Sequence, residues 1–140
     1  MSTLPQDHTD KLARHYRVLV DAMCEISQAY LYHARLGDAL ELLNPDVLEL
    51  VGKDLSPEDK VRLQVQRAKI LRYKGYCDYD NDLYDAALDV LFEAEKSVRE
   101  QALLADVVDL IGLTLHSKES RSDATLEMRL GYLTRGLALR

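Results

Sequence analysis

The chain has no tryptophan and a single phenylalanine, Phe92, in 140 residues. It has six glycines and three prolines, so little of its length is left for loops. Two cysteines, Cys24 and Cys77, stand isolated in helical surroundings. That excludes a disulfide framework and predicts buried free thiols in a reducing, cytoplasmic setting. No apolar run approaches the roughly 20 residues of a membrane span. The opening MSTLPQDHTDKLARHYR lacks the apolar centre of a signal peptide. The net charge of −6 argues against general nucleic-acid binding, which needs cations to neutralise phosphates.

Catalytic patterns are missing too. The histidines are His8, His15, His33 and His116, and none has a histidine four residues on or a C-x-x-C beside it. There is no Gly-rich phosphate loop, G-x-S-x-G or H-E-x-x-H. Asp78-x-Asp80-x-Asp82 matches the first positions of a calcium loop, but Leu83 then stands where a glycine is needed and Asp89 where a bidentate glutamate is needed. The expectation is therefore a protein with no catalytic residue, no cofactor and no metal.

What the chain does have is helical periodicity. With 47% hydrophobic and 30% charged residues, 140 residues suffice for one domain with a real core. Leu12, Tyr16, Leu19, Met23, Ile26 and Tyr30 recur at three- and four-residue steps, and Val18, Ala22, Ala29 and Tyr32 widen that face. Thr9 or Asp10 is a candidate cap, and Gly37 a candidate stop. Asp38 to Leu43 opens a second helix, Asn44-Pro45 interrupts it, and Asn44 can cap a turn from Pro45 to Val51. Ser56-Pro57-Glu58-Asp59 is a strong start for a helix to about Tyr79. That helix carries two apolar stripes: Val61, Val65, Ala68, Leu71 and Gly75 on one side, and Leu63, Ile70 and Cys77 on the other. A helix apolar on two sides is sandwiched between neighbours. Asp80-Asn81-Asp82 turns the chain into a helix from Leu83 to about Gln101. A further helix covers Ala102 to His116, Lys118 to Asp123 form a polar loop with capping candidates, and a last helix runs from Thr125.

Gly75, Tyr84, Ala87, Leu88 and Ala94 form a small-residue skeleton on a helical hairpin. Tyr84-Asp85-Ala86-Ala87-Leu88 resembles the second-helix opening of a tetratricopeptide repeat, and Ala94 its later alanine. Gly112 and Gly136 resemble the corresponding contact positions of a terminal repeat with a longer turn. Lys74 and Asp78 depart from the family pattern. The resemblance implies an all-α fold of about six helices, stacked as antiparallel hairpins in a right-handed solenoid. It divides the single domain into a degenerate hairpin (9–53), a best-matching repeat (57–101) and a terminal repeat (102–140).

It also implies a function. Such arrays bind proteins or peptides, and the expectation is a non-enzymatic interaction or oligomerisation module. The pattern suits the regulatory N-terminal part of a longer bacterial signalling or transcription protein. The alternative is a ligand- or peptide-responsive sensor controlling the dimerisation of an attached enzyme such as a nucleotide cyclase. Lys60, Arg67 and Lys74, seven apart, make one basic stripe, and with Tyr73 they are the expected partner-binding residues. Tyr73, Tyr76 and Tyr79 step along the same helix, either as contact residues or as half-buried packing. The stripe would alternatively pair with Asp82, Asp85 and Asp89. From Glu58 to Asp80 there are six bases against four acids, and from Asp82 to Asp106 seven acids against two bases, so the two segments are expected to face each other. Because the helical pattern runs to the last residue, self-association through the C-terminal helices is expected as well. Neither a membrane nor a nucleic acid is an expected partner.

Overall fold

A computed structural model describes residues 6–118 and 123–140. The fold is all-α. The described residues form seven helices and no strand: α1 (Gln6–Tyr32), α2 (Leu36–Leu42), α3 (Pro45–Gly52), α4 (Pro57–Asp78), α5 (Asn81–Ser97), α6 (Gln101–Ser117) and α7 (Asp123–Leu139). The seventh arises because Asn44-Pro45 divides α2 from α3. Asn44 Oδ1 accepts from the Val47 N–H at 2.9 Å, and Pro45 takes the first helical position, where its missing N–H costs nothing. The Ser56 hydroxyl likewise accepts the Asp59 N–H at 3.2 Å at the head of α4.

Two helix ends differ from expectation. Gly37 does not stop α1 but lies inside α2. The chain turns earlier, at Ala34, whose φ of 56° is left-handed, while the Arg35 N–H reaches back to the Tyr30 carbonyl at 2.8 Å. This six-to-one bond ties off the helix as a glycine-ended motif would. Tyr79, at φ 53°, ends α4 the same way, with the Asp80 N–H on the Gly75 carbonyl at 3.0 Å. α5 ends at Ser97, short of Gln101, where buried Val98 turns the backbone extended. The capping candidates at Thr9, Asp10 and Ser120 to Asp123 lie outside the described side chains.

α1, α4 and α6 lie side by side and run in one direction. On α1 and α4, Asp21 pairs with Arg62, and further along Gln28 meets Gln66. On α4 and α6, Val65 and Gln66 share a cleft with Ala102 and Leu103, and further along Arg72 donates to the Ser117 hydroxyl at 3.0 Å. α5 returns antiparallel along α4, and α7 antiparallel along α6, with Arg140 paired to Asp106 and Asp109 near the head of that helix.

The core is double, and α4 divides it. Val61, Val65, Ala68 and Leu71 pack with Ala87, Leu88, Leu91 and Ala94 of α5 and with Val107, Leu110, Ile111 and Leu115 of α6. Leu63 and Ile70 join Val20 and Met23 of α1, Ala39 and Leu43 around α2, and Leu55. The two apolar stripes read from the sequence thus face two separate clusters. Cys77, assigned to the second stripe, is exposed, and Cys24 is half-buried. Both are free thiols, but the expectation of burial fails for Cys77, which falls on the last turn of α4, past the reach of α1 and α2.

Candidate functional site

α4 carries all four expected partner-binding residues, and its rotation separates them. Arg62, Gln66, Lys69, Tyr73 and Tyr76 follow one another at three- and four-residue steps on the face turned toward α1 and α6. Gln66 Nε2 donates to Gln28 Oε1 at 3.0 Å, and Arg62 Nη2 donates to Asp21 Oδ1 at 2.6 Å. Lys60, Arg67 and Lys74 occupy the opposite edge, toward α2 and α3. The Lys60 stem passes Gly52 of α3, and Arg67 Nη1 donates to the Leu43 carbonyl at 3.0 Å.

Two members of the basic stripe are committed elsewhere. Arg67 is half-buried and closes the C-terminal end of α2, where a cation meets the negative end of the helix dipole. Burial holds its guanidinium below the usual arginine range. Lys74 Nζ reaches Asp78 of its own helix at 2.5 Å, and that hydrogen bond raises its pKa. The pairing expected with Asp82, Asp85 and Asp89 does not form: Asp85 meets Lys118 at 2.6 Å instead. Among the described residues, no ion pair joins α4 to α5. Glu95 of α5 likewise reaches α7, taking Arg135 at 2.5 Å and the Tyr132 hydroxyl at 3.3 Å, while Glu93 meets Lys96 of its own helix at 3.4 Å. Lys60 and Tyr73 have neither a hydrogen bond nor an ion pair among the described side chains.

Lys60 stands on the rim of a cleft of about 430 Å³ between α3 and α4. Leu48, Leu55 and Leu63 floor it, and Glu49, Lys53 and Gln64 share its edge. On the other side of α4 a polar cleft of about 340 Å³ is lined by Cys24, Arg62, Gln66, Lys69, Glu100 and Asp106. Burial would lower the Arg62 pKa, but hydrogen bonds to Asp21 and Asp59 outweigh it and hold the guanidinium above its ordinary value. The tyrosine row is not packing. Tyr76 is 68% and Tyr79 88% exposed, and Tyr73 is also open to solvent. Tyr84, by contrast, is buried, and Tyr132 tilts against Phe92 with ring centroids 6.1 Å apart.

The sequence reading missed Arg62, Gln66, Lys69 and Tyr76 as a connected surface. Their spacing was the available signal, since they are the polar residues left between two apolar stripes. Parts of the apolar faces read from the sequence on the terminal helices are left open. Leu130 and Leu137, seven apart on α7, are 53% and 78% exposed, and Met128 is exposed on another side of the same helix. Leu12, Val18, Leu19 and Ile26 of α1 are exposed as well. Among the described residues, no helix is long and apolar enough to cross a membrane, and no group of His, Cys, Asp and Glu is arranged to hold a metal. Comparison with protein-family models, with curated proteins and with solved structures finds no match to this chain.

Proposed function

We propose that this chain is a non-enzymatic protein-binding module of the tetratricopeptide-like kind, docking another polypeptide or its own copy on α7. The observation that carries the reading is the open face of α7. Leu130 and Leu137 share one side of the helix, whereas Tyr132 and Leu133 of the same helix turn inward to Glu95 and Gly112. A contiguous exposed apolar face at the end of a helical stack is a common mark of an interaction site. The setting we favour is the cytoplasm, as the regulatory part of a bacterial signalling or transcription protein.

Sedimentation over a graded concentration series tests this. Wild type is expected to associate, and Leu130→Gln/Leu137→Gln to sediment as a smaller species with an unchanged helical spectrum. A double variant indistinguishable from wild type in size would remove α7 as the docking face.

One feature favours a second reading. The leucine-floored cleft rimmed by Lys53 and Lys60 suits a small amphipathic acid or peptide, as a ligand-responsive sensor would need. A ligand-dependent change in oligomer size separates this sensor from a passive scaffold.

A further inference from the structure

α1 buries only one side. Val20, Met23 and Ser27 face the cluster shared with α2 and α4. A second apolar stripe borders that face and is left open. Leu12, Leu19 and Ile26 repeat every seven residues and are 40–46% exposed. Val18, at 65%, and Ala29 extend the stripe, and half-buried Ala22 lies within it, as does exposed His15 one heptad earlier, the one polar residue of the stripe. A seven-residue apolar repeat on a helix is the pattern that packs along a second helix. At 27 residues α1 is about 40 Å long, enough for several turns of contact.

The charges flanking the stripe say which helix. Lys11 and Glu25 lie two heptads apart on the same edge, with Val18 midway between them. Both charged side chains are exposed, and neither forms an ion pair among the described residues. This arrangement is self-complementary under a twofold rotation. If two copies of α1 run antiparallel with Val18 beside Val18, Lys11 of each lies against Glu25 of the other. Leu12 then meets Ala22, whose small side chain allows the backbones to approach. A parallel pairing would instead place Lys11 against Lys11 and Glu25 against Glu25.

We propose that α1 is a homodimerisation helix, pairing antiparallel with the α1 of a second copy about an axis beside Val18. The contact is isologous, so it closes at two copies. One helix pair buries less than the roughly 800 Å² per partner of a standard interface. Dissociation on the order of micromolar is therefore expected. The surface is distinct from α7, so the proposal goes beyond the function proposed above and stands or falls separately.

Disulfide trapping tests it, in a background carrying Leu130→Gln/Leu137→Gln to silence α7 and Cys24→Ser/Cys77→Ser to remove the native thiols. Val18→Cys is expected to form a covalent dimer on mild oxidation, much faster than Leu50→Cys, an equally exposed position on α3. Mixing Lys11→Cys with Glu25→Cys chains should trap the mixed dimer in preference to either self-dimer. Charge reversal supplies an independent readout in chains with native thiols. Glu25→Lys should weaken the dimer roughly three- to tenfold, and adding Lys11→Glu to the same chain should restore it. Equal trapping at Val18→Cys and Leu50→Cys, or self-dimers of Lys11→Cys exceeding the mixed species, would overturn the proposal. So would failure of the double reversal to recover what the single reversal lost.

Discussion

Gly112 and Gly131 sit in the two helices of one hairpin, yet alanine should act on them in opposite directions. In the middle of a helix, alanine is favoured over glycine by about 1 kcal/mol, because glycine loses more backbone freedom on folding. At Gly131 nothing lies within 4 Å of where the new methyl would go, so that gain should appear nearly whole. At Gly112 the methyl would stand 2.8 Å from Leu133 Cδ2, 2.9 Å from Cγ and 3.3 Å from the Leu133 backbone nitrogen. A rotamer change can move the first atom, but not the last. Separating α6 from α7 is an overpacking cost of about 1–3 kcal/mol. The propensity gain offsets part of it, leaving a net loss of about 1 kcal/mol. For a domain of this size, 1 kcal/mol moves the melting temperature by roughly 3 °C. Thermal unfolding followed by circular dichroism should therefore place Gly131→Ala above wild type and Gly112→Ala below it, about 6 °C apart. If Gly112→Ala melts at or above Gly131→Ala, the close approach of α6 and α7 is wrong.

Three further outcomes can be checked. Ala34→Gly should stabilise the protein by about 0.5–1 kcal/mol in urea titration, since a left-handed residue with a Cβ is strained there, whereas Gly37→Ala on the neighbouring helix should not relieve that strain. Iodoacetamide at pH 8 followed by mass spectrometry should label exposed Cys77 first. Burial raises the Cys24 pKa, so its reactive thiolate is scarcer in the fold and should increase only at higher pH or on unfolding. Because that folded pKa lies above the unfolded value, any stability this thiol contributes is present below the unfolded pKa and is lost as pH rises through the folded one. Asn44→Ala should cost about 1 kcal/mol by removing the bond to the Val47 N–H, read as a lower urea midpoint with an unchanged slope.

Helix identity was legible where local chemistry decides it. Ser56-Pro57 and Asn44-Pro45 each satisfy an orphan N–H with a side chain only three residues away, so no tertiary information is needed. The double stripe of α4 was legible for the same reason, because each residue's face follows from its spacing. The end of α4 near Tyr79 was legible too, from the turn residues that follow it, but the end of α1 at Ala34 was not, since alanine does not favour the left-handed region on its own. On α1 the periodicity marks a wide apolar face, but only the neighbours decide which part of it is covered. Ser27 is fully buried with its hydroxyl on the Cys24 carbonyl, while more apolar Leu19 and Ile26 remain open. The partners of the basic stripe were hidden for a related reason. Lys60, Arg67 and Lys74 share an edge as spacing requires, but spacing cannot say that the C-terminal end of α2 would take one guanidinium and Asp78 one ammonium.

α4 has a consequence for how the molecule comes apart. It serves as a party wall, and both rooms lean on it. Leu63 and Ile70 keep the first hairpin in place, and Ala68 and Leu71 the second, along the same 22-residue rod. Peeling away α1 and α2 would wet one side of that rod and loosen the other, so the chain should melt as one unit and not hairpin by hairpin. Anything that grips the outer end of either hairpin pulls on the same central rod.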